Sequence, residues 1–241
     1  MNAREGIIKK IMAALELDQR IDLHHRPVGL GFSEGVLTLT GEMDSVAAKK
    51  LALELAGAVL GVTGIVDRLR VAPAEPMEDG AVRDHVLDLL MQEPAFGDYA
   101  IRALVKGETE THREELRGAA GEIEIEVNDG VVILNGRTGS LSHKRLAGVL
   151  AWWVPGSRDV VNGLEVVPPM DDNDDEVVDA LRLVLEKDPF VNASRVRVTC
   201  RDYVVTLAGE VPAPGERDMA ETDAWCVFRV NRVINNIIVA E

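Results

Sequence analysis

Around residues 122–134, apolar side chains fall at every second position on both sides of a two-residue turn. Ile123, Ile125 and Val127 alternate with Glu122, Glu124 and Glu126, and beyond Asp129-Gly130 the apolar pattern resumes at Val132 and Leu134. A period of two predicts half-buried strands, and Asp-Gly is a preferred dipeptide for a tight hairpin of the primed type. Such a turn pairs Val127 with Val132 and Ile125 with Leu134, which puts all four on one face. It also places Gly136 opposite Ile123, at the end of the strand.

The phrase recurs. FSEGVLTLTGE (32–42), VNDGVVILNGR (127–137) and CRDYVVTLAGE (200–210) align on their closing glycines, Gly41, Gly136 and Gly209. The match then continues without a gap through Ala52, Ala147 and Ala220; Ala56, Ala151 and Ala224; and Val59, Val154 and Val227. These positions share one face of a helix packed through small side chains. Further on, Leu69, Leu164 and Ile237 followed two residues later by Val71, Val166 and Val239 predict a closing strand. A helical pattern also precedes each hairpin: Ile8, Ile11, Met12 and Leu15; Val82, Val86, Leu89 and Leu90; Val177, Leu181, Val184 and Leu185.

The expected fold class is therefore α+β: three tandem αββαβ units, each a small three-stranded mixed sheet covered by two helices. The units are expected at 4–72, 80–167 and 175–240, separated by the Pro/acidic linkers APAEPMEDG (72–80) and PPMDDNDD (168–175). The second unit carries an inserted segment at about 98–121 that reads as partly helical and highly charged, either an interaction element or a solvated loop. Gly41, Gly136 and Gly209 are expected to be structural glycines, each leaving room for the helix that starts next, or supporting a sharp turn.

The dGvVtLxG hairpin, together with closing strands such as GSRDVVNGLEV (156–166) and VNRVINNIIV (230–239), resembles the BON domain family over nearly the whole chain. The resemblance implies small α/β modules of bacterial envelope, osmotic-stress and transport-associated proteins. It implies phospholipid, partner or cation binding and no catalysis, and it brings no catalytic motif with it.

A unit of about 65 residues buries only about 60% of its unfolded surface, so the units are expected to pack on one another. Trp152 and Trp225 occupy equivalent positions beside core-facing alanines, with Trp153 next in line. These three tryptophans are the candidate residues for contacts between units or with a partner, against an ordinary place at the core edge.

Charge narrows the function. The chain carries a net charge of −15, with residues 1–72 balanced at nine basic and nine acidic groups and the acidity confined to the rest. Nucleic-acid binding is excluded on this balance, and attraction to anionic phospholipid is disfavoured. Two cysteines make no disulfide framework. The sequence shows no secretory signal and no apolar run long enough to span a membrane, so a cytoplasmic location is expected, or a periplasmic one if a leader precedes it.

Motifs for chemistry are scarce. VGLGFSEG (28–35) has the wrong glycine spacing for a dinucleotide fingerprint and runs along a strand. DDNDDE (171–176) clusters carboxylates, yet it lacks the glycine and the twelfth-position acid of a calcium loop, which leaves at most weak cation binding. Five scattered histidines make no zinc pattern. Cys200 is expected in an inward, apolar position. Lys49, Lys144 and Arg217 recur eight residues after the closing glycines, either as a solvated helix face or as anion contacts.

No catalytic residue, metal ligand or cofactor is expected. The leading expectation is a non-enzymatic binding or scaffolding protein, linked to osmotic or envelope stress, that acts through a protein partner or self-association. The rivals are a potassium- or calcium-responsive protein and a phospholipid-surface module.

Overall fold

The computed structural model describes residues 3–114, 118 and 120–240. Its elements follow the αββαβ order three times. The first repeat has α1 (Ala3–Glu16), the hairpin β1 (Gly29–Ser33) and β2 (Val36–Met43), α2 (Val46–Gly57) and β3 (Gly64–Val71). β1 and β2 are antiparallel, β2 and β3 parallel, giving a mixed sheet of order β1-β2-β3. Ser45 caps α2 by accepting from the Ala48 N–H. Leu37, Leu39, Leu51, Ala52, Ala56 and Leu69 form the core between sheet and helices.

The third repeat repeats this plan with α5 (Asp174–Lys187), β10 (Val196–Arg201), β11 (Val204–Val211), α6 (Pro214–Cys226) and β12 (Arg232–Val239), in the order β10-β11-β12. In the second repeat come α3 (Asp79–Gln92), β6 (Gly121–Asn128), β7 (Val131–Thr138), α4 (Leu141–Trp152) and a closing strand split into β8 (Asp159–Asn162) and β9 (Glu165–Val166). The β6–β7 register pairs Val127 with Val132, Ile125 with Leu134 and Ile123 with Gly136, as the alternation requires.

The inserted segment departs from expectation. Its described residues are not helical: they form a hairpin of β4 (Tyr99–Val105) and β5 (Glu108–Arg113), and β4 lies parallel to β6. The second sheet thereby widens to the order β5-β4-β6-β7-β8, with β9 also on β7. The reason is local. Tyr99, Ile101 and Ala103 alternate toward the core, and Lys106-Gly107, both with positive φ, make a two-residue turn. Residues 115–117 and 119 of the insert lie outside the described residues.

The chain divides into two compact units, Met1–Ala72 and Pro73–Glu241. The first repeat is a unit of its own; the second and third repeats share the other. No helix among the described residues is long and apolar enough to cross a membrane.

Candidate functional site

The three closing glycines sit in matching surroundings. Their φ angles, +137° at Gly41, +118° at Gly136 and +149° at Gly209, lie where side-chain-bearing residues are strained. A Cβ at Gly41 would stand 2.8 Å from the Pro27 carbonyl oxygen, and at Gly136 and Gly209 it would run into the carbonyl oxygens of Glu122 and Arg195. The obstacle is the backbone at or just before the start of the neighbouring strand, and this corrects the expected collision with the following helix.

The second and third repeats meet through α4, which packs against α5 and α6. Arg145, on α4, has its side chain fully buried. Its Nη2 donates to Asp172 Oδ1 at 2.6 Å and its Nε to the Phe228 carbonyl at 3.2 Å. Asp172 lies in the linker and also accepts from Arg229 Nε at 3.3 Å, while its carbonyl accepts from the Tyr203 hydroxyl at 3.0 Å. The Arg229 guanidinium lies 5.1 Å from the Tyr203 ring centroid. One linker carboxylate is thus held by an arginine from each repeat. A buried guanidinium is tolerated only with such partners, since its desolvation costs several kcal/mol.

A second polar contact crosses the same junction. Trp153, at the end of α4, donates its indole N–H to Asp223 Oδ1 on α6 at 2.9 Å. Asp223 is fully buried. Burial first, and then the nearby charge of Asp188, pushes its carboxyl up to about 8. Asp188 ends α5 and accepts the Phe190 N–H at 2.8 Å. Nearby, Lys187 Nζ sits 2.7 Å from Glu93 Oε1. Of the three candidate tryptophans, Trp153 makes this inter-repeat hydrogen bond, Trp225 is buried within α6, and Trp152 is half-buried on α4.

Other polar groups hold the fold locally. Asp174, the first residue of α5, accepts the backbone N–H groups of Asp202 and Tyr203 at 2.8 and 2.9 Å, which fastens the β10–β11 turn. Asp79, the first residue of α3, does the same for Asp129 and Gly130 at 3.0 and 2.8 Å. These bonds, with the Tyr203 N–H foremost, hold the Asp174 carboxyl below its usual range. Cys200 is half-buried and donates its thiol to Asp174 at 3.2 Å. Burial, then this hydrogen bond, pushes the thiol up to about 12, so it stays protonated. Within DDNDDE, Asp172 and Asp174 are therefore engaged, and Asn173 caps α5. Among the described residues no group of three or more His, Cys, Asp or Glu could hold a metal ion.

The recurrent basic position is not a repeated surface. Lys49 is buried against the Leu69 carbonyl and Asp67, Lys144 lies over the Phe228 ring, and Arg217 pairs with its neighbour Asp218. A cluster unseen in the sequence joins the insert to α4. The Tyr99 hydroxyl accepts from the Gly139 N–H at 3.2 Å and shares a 2.8 Å hydrogen bond with His143 Nδ1. Burial lowers the His143 pKa, favouring the neutral imidazole.

The outer sheet faces differ in sign. On the second sheet, Glu122, Glu124 and Glu126 point away from the core. On the third, Arg197, Arg201 and Arg232 are exposed, with Arg195 just before β10. Arg201 has a long 3.8 Å contact to Asp202, and Arg195, Arg197 and Arg232 have no ion-pair partner among the described residues. Ile234 and Ile238 are exposed on the same face, at 41% and 67%.

Three small αββαβ modules, two of them joined through buried polar side chains, define a tandem-repeat binding or scaffolding module. The BON domain family matches residues 4–73, 97–168 and 173–241, and the chain belongs to that family. Two solved structures of CdsD, a structural protein of the type III secretion system of Chlamydia trachomatis, are similar to it, each at 15% identity. One, of the C-terminal domain, is covered at 98% of both chains with a TM-score of 0.26; the other at 98% of this chain and 92% of that one, with a TM-score of 0.25. No curated protein matches the chain.

Proposed function

We propose that the chain is a non-enzymatic scaffold that binds protein partners, with the joined second and third repeats as the binding body. The observation that carries this reading is the outer face of the third sheet. There Arg195, Arg197 and Arg232 are exposed and unpaired beside Ile234 and Ile238, in a chain of net charge −15. Exposed apolar side chains ringed by charge suit a protein contact. The test is capture from the native cell with wild-type bait and with an Arg232→Glu/Ile238→Glu bait. A partner retained by the wild type and lost from the variant supports the reading; identical captures overturn it. The stress link implied by the family belongs to the same reading and predicts a rise in abundance on osmotic upshift.

The same arginines favour a second reading, an anionic phospholipid surface, because a local basic face overrides an acidic net charge within a Debye length of about 8 Å. Co-sedimentation with anionic vesicles tests it, and no pelleting removes it. The acidic linker lends no support to the cation reading, because Asp172 and Asp174 are engaged by arginines and backbone N–H groups.

A further inference from the structure

β10 is a sheet edge, paired with β11 on one side only. Its counterpart in the second repeat is β6, because Ile123 and Val196 each sit opposite the closing glycine of their repeat. On β6 the same side is covered by β4, which runs parallel to it from Tyr99 to Ala103. The fold therefore accepts an added strand at this edge with its hairpin and helices in place. In the third repeat the side is uncovered. An open depression of about 390 Å³ lies at its start, between Ser194, Arg195, Val196, Arg197, Ala208 and Gly209.

The chain also carries a strand of complementary charge. β5 is the terminal strand of the second sheet and is exposed along nearly its whole length. It presents Glu108 and Glu110, whereas β10 and the residue before it present Arg195, Arg197 and Arg201. Two β10 edges would set arginine against arginine, and two β5 edges glutamate against glutamate. Like charges on an edge block its pairing with itself, and opposite charges across strands favour pairing. Only the unlike combination is left open. β1, the equivalent edge of the first repeat, reads Gly-Leu-Gly-Phe-Ser and has no charge to take part.

We propose that β5 of one copy pairs with β10 of a second copy, so that chains associate head to tail through their sheet edges. The proposal rests on the scaffolding reading above and makes the chain its own partner. The acidic net charge of each copy opposes approach at long range, but screening confines that repulsion to about 8 Å at physiological salt. The edge pairs act inside that distance. Because the two edges differ, the contact is heterologous, and it builds open chains unless the rotation closes a ring.

The test is sedimentation velocity on the full chain over a concentration series, at physiological and at high salt. Wild type is expected to associate with rising concentration, less at high salt. Arg197→Glu/Arg201→Glu and Glu108→Arg/Glu110→Arg should each weaken association by about tenfold or more, and an equimolar mixture of the two variants should restore it. All four side chains are exposed, and circular dichroism checks that the variants fold. Arg197→Gln/Arg201→Gln, which removes charge without reversing it, should weaken association to an intermediate degree. A chain that is monomeric throughout, association unchanged by either reversal, or a mixture that fails to associate would each overturn the proposal. A monomeric wild type that pellets with anionic vesicles would also overturn it and assign the arginines to lipid. A monomeric chain that still captures a different protein through Arg232 and Ile238 would overturn self-pairing and leave the scaffolding reading intact.

Discussion

In the first repeat, Gly57 and Ala58 end helix α2; at the same two positions the second repeat has Trp152 and Trp153, and the third has Trp225 and Cys226. Nine residues past the closing glycines the series runs Lys50, Arg145, Asp218, and fourteen past it runs Leu55, Leu150, Asp223. The hairpin and its positive-φ glycine are the same in all three repeats. The differences gather on the second helix, and they accompany a change in organisation: the first repeat is a compact unit by itself, and the other two share one. The comparison teaches that the strands and glycines specify the module, while a few helix positions decide whether it is joined to a neighbour.

The largest expected break in that contrast is Arg145→Ala. It leaves Asp172 with only its 3.3 Å contact to Arg229 and the Phe228 carbonyl without its donor, and should destabilise residues 73–241 by about 3 kcal/mol while leaving residues 1–72 unchanged. Hydrogen exchange on the full chain reads the two regions separately.

Next come the glycines, which test what the repeats share. Gly41→Ala, Gly136→Ala and Gly209→Ala each force a Cβ toward a carbonyl oxygen at positive φ. Each should cost its own unit at least about 1–3 kcal/mol, measured by chemical denaturation. A neutral result at any one would separate that repeat from the others.

A pH series sharpens the difference between the units. The folded-state pKa of Asp223, about 8, stands above its ordinary value of 3.8. Its contribution is therefore fully present below 3.8 and declines as pH rises, until it is lost above about 8. Between pH 7 and pH 9 residues 73–241 should lose about 1 kcal/mol from this group. Asp223→Asn should remove that part of the dependence. A comparable or smaller effect is expected from Lys187→Ala, which leaves the buried Glu93 carboxylate with the Ala95 N–H and should cost about 1 kcal/mol.

The parts of the fold legible in the sequence were those encoded at short range. The β6–β7 register follows from two-residue alternation around Asp129-Gly130, and the αββαβ order from helical spacing at Ala147, Ala151 and Val154. The β4–β5 hairpin is hidden behind its charges, which read as a partly helical segment, either an interaction element or a solvated loop. Its usable signal was the alternation of Tyr99, Ile101, Ala103 and Val105 ahead of Lys106-Gly107. The junction was mostly illegible, since Arg145 meets Asp172 and Phe228 across 27 and 83 residues of chain. One signal did exist: Asp223 replaces a leucine found in the other two repeats, and an acid on a core-facing turn needs a buried partner. Of the three tryptophans, Trp153 makes the hydrogen bond to Asp223 of the next repeat.

Hydrogen exchange of the unmodified full chain, followed segment by segment under mild denaturant, tests the central claim most directly. If Arg145, Asp172, Trp153 and Asp223 make one body of two repeats, the core amides of α4, α5 and α6 will lose protection together, in a step separate from those of residues 1–72. Loss of protection in the second and third repeats at different denaturant concentrations would contradict it.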